Sequence, residues 1–476
     1  MATDAARTTT PCVRCRENEA ELDLRSDAVC RPCYTTFIAS KVIKRLEVLQ
    51  RETRGPRLPT QPQRYLLALS KGPSSTALLH ILSENLRRQR ERERNKGQRG
   101  VKFELVVVYV DPTDSSDSDS VSENNNENEN EPFTTLFPST PIHTIPLSSI
   151  LSLDSIAWSA LPVPVVVAPG EKTKKKRLDS ILAQLPSPSA RADVLRLLTR
   201  HAILAAAAET YECDVVLLGY NTTALAELTL TETAKGRGYG IPWLVNDGVL
   251  PLPGSVDHEE EGMAGLKITS GDDGEKKKKT DIPIYSPLRE IFRKEILTYL
   301  SITPAPTPSS ESNRNNTTMT RTETETIADI LFPSSSSSSP SPPGTKAVVS
   351  HRDISLDEVV SRFFVDVEAS YPSVVANVVR TTGKLERPSP SSHPPHISKN
   401  SDKSCGLCGV YLDPLGDERW RGEIGEDGNG NAGRLLSADA RDGDGDASGK
   451  STTTESTTTS SSNSRLCYGC ERSIRG

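Results

Sequence analysis

The chain has 476 residues, of which 35% are hydrophobic and 5% aromatic, and it carries 34 Pro and 30 Gly. These values are low in apolar content for a fully globular chain of this length, so part of it cannot bury enough surface to offset its ordering entropy. The net charge of -6, from 57 basic and 63 acidic residues, excludes an overall polycation and leaves room for a local basic face. No apolar run approaches the roughly 18 residues of a membrane span, and Met1–Pro11 lacks the apolar stretch of a secretory signal. A cytoplasmic protein with reduced thiols and no membrane partner is expected.

The first feature in chain order is a cysteine unit, Cys12, Cys15, Cys30 and Cys33. Residues 37–50 read as a helix, with Ile38, Val42, Leu46 and Leu49 on one side and Lys41, Lys44 and Arg45 on the other. After a Gly/Pro-rich break an α/β alternation begins. Tyr65–Leu69 reads as a buried strand, Ser70–Ser75 as a turn, 76–90 as a helix and Glu104–Val110 as a second, β-branched strand. His143–Leu147 reads as a third strand, Glu171–Arg177 as a charged loop and Ala190–Tyr211 as a helix. Asp214–Leu218 is a strand ending at Gly219, and Asn221 or Thr222 caps a helix over 223–233. Helices follow at Pro287–Leu300, Leu356–Val367 and Pro372–Val379, with Ser355 and Glu358 forming a capping box. Polar, low-complexity inserts are expected to be disordered at 112–131, 255–280, 301–346, 387–403 and 412–464.

This pattern predicts an α/β fold, a mainly parallel sheet with helices on both faces. The expected organisation is a cysteine module plus helix at 1–50, an α/β domain at 60–300 and a linker at 301–346. A helical extension at 347–384 and a second cysteine unit at 405–476 complete it.

Eight of the nine cysteines form four Cys-x-x-Cys pairs, the third and fourth being Cys405/Cys408 and Cys467/Cys470. In a reducing compartment such pairs read as metal ligands before disulfides. Two pairs close a tetrahedral shell, so two structural zinc sites are expected, the second with a long inserted loop. Cys213 stands alone and reads as a buried small hydrophobe.

The segment Leu66–Leu79 carries an apolar strand through a small-residue turn into a helix start. Such a turn presents N–H groups and hydroxyls to phosphate, although it also fits an ordinary tight turn, and it is not a Walker A loop. It resembles the pyrophosphate loop, Ser-Gly-Gly-x-Asp-Ser, of ATP pyrophosphatase-type tRNA-modifying enzymes. Ser70, Gly72 and Ser75 match; Lys71 replaces the first Gly and Ser74 the Asp. Leu217–Glu227, Gly236–Gly238 and Ile284–Glu290 resemble further segments of that family. Together with the cysteine pairs, the chain is similar to the second subunit of wobble-uridine tRNA thiolases.

The resemblance implies nucleotide-side positions at Ser70, Gly72, Ser74, Ser75 and Gly219, degenerate in this chain. Lys71 adds a Cβ and a long side chain, Pro73 removes an N–H, and Ser74 lacks a carboxylate. The α/β domain also lacks the extra cysteines that receive sulfur in catalytic members. The implied role is therefore a degenerate, pseudo-enzyme subunit with no catalytic residue of its own, whose altered loop counts against ATP binding without deciding it. It would pair with a catalytic thiolase paralogue that takes sulfur from a thiocarboxylated ubiquitin-related modifier. The targets would be tRNAs for Lys, Glu and Gln. Candidate RNA contacts are Lys41, Lys44, Lys235 and Arg237, with Arg45 and Arg64 as further basic positions; the Gly-Arg-Gly setting favours Arg237. Two alternatives are an ATP-dependent tRNA sulfurtransferase using the hydroxyls of Ser70, Ser74 and Ser75, and a zinc-ribbon RNA-binding scaffold without a thiolation role.

Overall fold

The computed structural model describes residues 10–54, 62–96, 101–113, 131–153, 155–162, 171–252, 281–306, 325–333, 354–387, 404–413 and 466–475. The polar inserts expected from the sequence lie outside these residues, apart from their edges and residues 301–306 and 325–333.

The cysteine module opens with the hairpin β1 (Leu22–Leu24) and β2 (Asp27–Val29), which runs into α1 (Arg31–Thr53). Six strands then form one sheet: β3 (Gln63–Ala68), β4 (Phe103–Asp111), β5 (Ile142–Pro146), β6 (Val215–Leu218), β7 (Gly248–Pro251) and β8 (Asp281–Tyr285). Their order is β5-β4-β3-β6-β8-β7, and all neighbours pair in parallel except the edge strand β7. The helices are α2 (Pro73–Lys96), α3 (Glu131–Leu136), α4 (Glu171–Ala183), α5 (Pro188–Ala205), α6 (Thr222–Ala234) and α7 (Ile241–Leu244). They are followed by α8 (Arg293–Ile302), α9 (Ile327–Leu331), α10 (Leu356–Ser370), α11 (Pro372–Thr382) and α12 (Tyr468–Arg475).

Strand alternation sorts the apolar side chains into two layers. Tyr65, Leu67, Val107, Val215 and Leu217 face α1, α2 and α8, and that layer includes Cys12 and Cys30. Leu66, Ala68, Val108, Val110 and Val216 face α5, α6, α10 and α11, and that layer includes Cys405, Cys408 and Cys470. The two cysteine units thus belong to the cores on opposite faces of one sheet.

Three local expectations change. The charged run Glu171–Arg177 is not a loop; it begins α4, because Leu178 and Ile181 further along anchor that helix in the core and Lys is a good helix former. Residues 287–292 are not helical; they form a turn in which Ile291 O accepts the Thr222 N–H at 2.9 Å, and α8 starts at Arg293. The stretch expected as a linker contains α9, whose Ile327 is fully buried and whose N–H donates to Thr303 O at 3.1 Å. No helix among the described residues is long and apolar enough to cross a membrane.

Candidate functional site: two cysteine centres and a closed loop

In the first centre the Sγ atoms of Cys12, Cys15, Cys30 and Cys33 lie within 4.8 Å of one another. A tight turn through Arg16, at φ 61, presents the first pair; the second sits where α1 begins, with Cys30 as its N-cap. Cys15 and Cys30 sulfurs are 3.7 Å apart. An ion with metal–sulfur bonds of about 2.3 Å spaces tetrahedral sulfurs by about 3.8 Å, so the cage fits one bare ion. At the hairpin tip Arg25 donates from Nε to Glu295 Oε1 at 2.6 Å and from Nη2 to Glu290 O at 2.7 Å, tying the module to α8.

The second centre has the same form. Cys405, Cys408, Cys467 and Cys470 sulfurs lie within 4.8 Å of one another, and Cys408 and Cys467 are 3.8 Å apart. The 58-residue gap between the pairs is spanned in sequence only; in space the pairs meet. The backbone N–H groups of Leu407 and Cys467 point at Cys405 Sγ, at 3.5 and 3.3 Å. His201 of α5 contacts Leu407 O at 2.6 Å, and Ala157 N–H donates to Gly406 O at 2.8 Å.

Beneath this centre lies a buried ion network. Arg237, 3% exposed, donates from Nε to Cys470 Sγ at 3.4 Å and from Nη1 to Asp193 at 3.0 Å and Glu232 at 3.2 Å. Lys235 reaches Asp193 at 3.0 Å and Asp357 at 2.8 Å. Burial opposes charge on Asp193, but Arg237, Lys235 and Arg196 outweigh it and hold that carboxyl below the usual range. The side chains of Arg237 and Lys235, expected from the sequence as RNA contacts, are 2% and 7% exposed and engage the buried Asp193 and Glu232 and the partly exposed Asp357. Of the two flanking glycines, Gly236 serves packing, while a Cβ on Gly238 would meet no atom within 4 Å. Gly236 has φ +81, and a Cβ there would sit 2.5 Å from the Tyr468 ring. The sequence carries no signal for Asp193 or Glu232: the first sits among the arginines of α5 and the second among the threonines of α6, where an acidic residue reads as solvated.

The remaining basic candidates divide. Lys41 is 3.5 Å from Glu290, Arg45 pairs with Asp247, and Arg64 is pinned by Glu104 at 3.3 Å and Tyr211 O at 3.1 Å. Lys44 is exposed on α1.

The structure brings Ser70, Gly72, Ser74, Ser75 and Gly219 together, at the carboxyl ends of the central strands β3 and β6, where parallel α/β sheets place ligands. The loop is closed on itself. Ser70 N–H donates to Ser75 Oγ at 3.2 Å, the two hydroxyls are 3.0 Å apart, and Ser75 Oγ donates to Gly72 O at 3.1 Å. Asn221 Nδ2 donates to Ser74 Oγ at 2.8 Å while its Oδ1 caps α6. Lys71 adopts φ 57, and its ammonium lies 3.8 Å from the Tyr109 ring centroid. A Cβ on Gly219 would meet Ser75 Cα at 2.9 Å. Cys213 is fully buried and precedes β6, at the strand end away from this loop.

The family model described as Cytoplasmic tRNA 2-thiolation protein 2 matches residues 355–472. The Cytoplasmic tRNA 2-thiolation protein 2 of Phaeosphaeria nodorum is 31% identical over 464 residues, covering 97% of this chain and 94% of that protein. The chain belongs to the cytoplasmic tRNA 2-thiolation protein 2 family. The Sclerotinia sclerotiorum member is 31% identical over 367 residues, 77% of this chain and 80% of that one. Among solved structures, the U34-tRNA thiolase NcsA from Methanococcus maripaludis with its 4Fe-4S cluster aligns over 86% of this chain and 95% of that chain, at 14% identity and TM-score 0.43. The stretch matched by the family model holds α10, α11 and all four cysteines of the second centre.

Proposed function

We propose that this chain is the non-catalytic subunit required for 2-thiolation of the wobble uridine in tRNAs for Lys, Glu and Gln. It acts with a catalytic paralogue that activates the uridine carbonyl with ATP and takes sulfur from a thiocarboxylated ubiquitin-related modifier. Family membership supplies the reaction. The observation that assigns the non-catalytic part is the loop at Ser70–Ser75. It sits where the pyrophosphate-loop resemblance would place nucleotide, yet its hydroxyls hydrogen-bond one another and Lys71 occupies a backbone region suited to glycine. The single cysteine of the α/β domain, Cys213, is buried away from it.

Zinc is the ion we assign to both centres. Four thiolates complete its shell and leave no open position, so zinc would hold the fold and supply no chemistry to substrate. A four-iron cluster interposes a cage that spreads its cysteines, whereas sulfurs 3.7 and 3.8 Å apart suit a single ion. Elemental analysis of the purified chain is expected to give two zinc ions per chain; iron with acid-labile sulfide would overturn that assignment.

The functional test is mass spectrometry of tRNA from cells lacking the protein. Loss of 5-methoxycarbonylmethyl-2-thiouridine is expected, with recovery by a Ser70→Ala/Ser75→Ala variant. Retention of the 2-thio group without the protein would sink the reading. Failure of the double variant, if it binds ATP in the wild-type form, would favour an active enzyme.

A further inference from the structure

The apolar pattern of α2 ends at Leu86, the last buried residue of that helix, but the helix continues for ten residues to Lys96. This overhang carries Arg87, Arg88, Arg90, Arg92 and Arg94 against Glu91 and Glu93. Arg87 is neutralised by Glu84 at 2.8 Å and Glu91 at 2.5 Å. Arg90, Arg92 and Arg94 are exposed and have no ion-pair partner among the described residues. Arg88/Arg92 and Arg90/Arg94 stand one turn apart, like-charge spacings that weaken an isolated helix.

The overhang also forms one wall of a concavity. Between α1 and α2 runs a groove of about 750 Å³ whose lining includes Lys44, Arg88, Arg92 and Lys102, opposed by Glu47 and Glu84. Glu84 is engaged with Arg87 at 2.8 Å and with Arg88 at 3.9 Å, which leaves Arg90, Arg92 and Arg94 as the unneutralised members among the described residues. In a chain of net charge -6, this is a concentrated positive surface with a shape that can follow a strand.

We infer that the arginine-rich end of α2, with Lys44 and Lys102 across the groove, is a docking surface for the phosphate backbone of tRNA. The inference rests on the tRNA 2-thiolation reading and adds where the RNA sits. At 1.5 Å per residue, Arg88–Arg94 lie roughly 20–30 Å along α2 from the Ser70–Ser75 loop. The surface therefore grips the RNA backbone away from that loop and carries no base specificity.

The test uses the full metal-loaded chain, alone and mixed with its catalytic partner, and a fluorescent tRNA-Glu transcript. In Arg88→Ala/Arg90→Ala/Arg92→Ala/Arg94→Ala the helix should persist, since Ala is the better helix former, and circular dichroism checks this. Affinity at 0.1 M salt is expected to fall at least tenfold, and the slope of log K against log salt to shrink by about 0.7–0.9 per lost phosphate contact. An Arg191→Ala/Arg362→Ala control on other surfaces should bind as wild type. Unchanged affinity and slope in the quadruple variant would overturn the proposal. So would normal tRNA binding with loss of the protein partner, which would mark the surface as a protein interface, and so would absence of tRNA binding by the wild type in either form. If thiolation in cells needs the chain but tolerates the quadruple variant, this docking surface fails while the subunit reading stands.

Discussion

Arg237 is surrounded by Asp193, Glu232, Ser473 and a cysteine of the second centre, all with little or no exposure of the ionic groups. Removing it would leave two buried carboxylates with only Arg196 and Lys235, and a void where the guanidinium sat. Arg237→Ala is expected to lose about 3–5 kcal/mol in urea unfolding, the usual cost of breaking a buried pair from one side. Arg237→Ala should also speed metal release to a chelator from the second centre but not the first. His80 makes a second residue-scale prediction. Burial lowers its pKa from 6.5 to about 4, and its ring contacts Tyr299 Oη at 2.8 Å. The unfolded chain binds the proton first, so this contribution is complete above about pH 6.5 and is lost as pH falls towards about 4. The loss amounts to about 3 kcal/mol. A His80→Gln variant should show a shallower fall in urea midpoint between pH 7 and 5; an identical slope would remove His80 as the cause. The two four-cysteine clusters were legible because metal geometry demands pairs at fixed spacing. The partners of Arg237 were not, because an ion pair between positions 193 and 237 leaves no local pattern.

Two strand-to-helix turns interlock at the centre of the sheet. Gly219 ends β6 against the first turn of α2, and Asn221 bridges from the cap of α6 to Ser74. Gly219→Ala is expected to push these turns apart at a cost of about 1–3 kcal/mol, because backbone rather than a flexible side chain opposes the new methyl. Thermal unfolding measures that cost, and wobble 2-thiolation should fall with it. The strands β3, β4 and β6 follow from their β-branched and leucine-rich runs. By contrast α4 was obscured by its lysines, and α9 by the polar sequence around it, since both are helical through apolar residues that meet the core only in three dimensions.

At the scale of the whole molecule the two cysteine units close opposite layers of one sheet. Stripping metal should therefore lower the stability of the α/β domain itself. Cys405→Ser/Cys408→Ser is expected to bring down the main unfolding transition and to expose β6 and α5 to proteolysis. A normal transition with only a cleaved C-terminal end would contradict this. Composition and spacing by themselves determined the α/β class, the positions of the polar inserts, the two four-cysteine clusters and the departures in the Ser70–Ser75 loop. These depend on periodicity and on short-range geometry, which a linear sequence displays. Only the tertiary structure decided that Arg237 meets Cys470 and Lys235 pairs with Asp193 and Asp357, that the loop's hydroxyls turn inward, and that arginines without an ion-pair partner among the described residues stand along one end of α2. Each of those depends on which distant side chains arrive at the same place, and burial then decides whether a charge is spent inside the protein or left facing solvent.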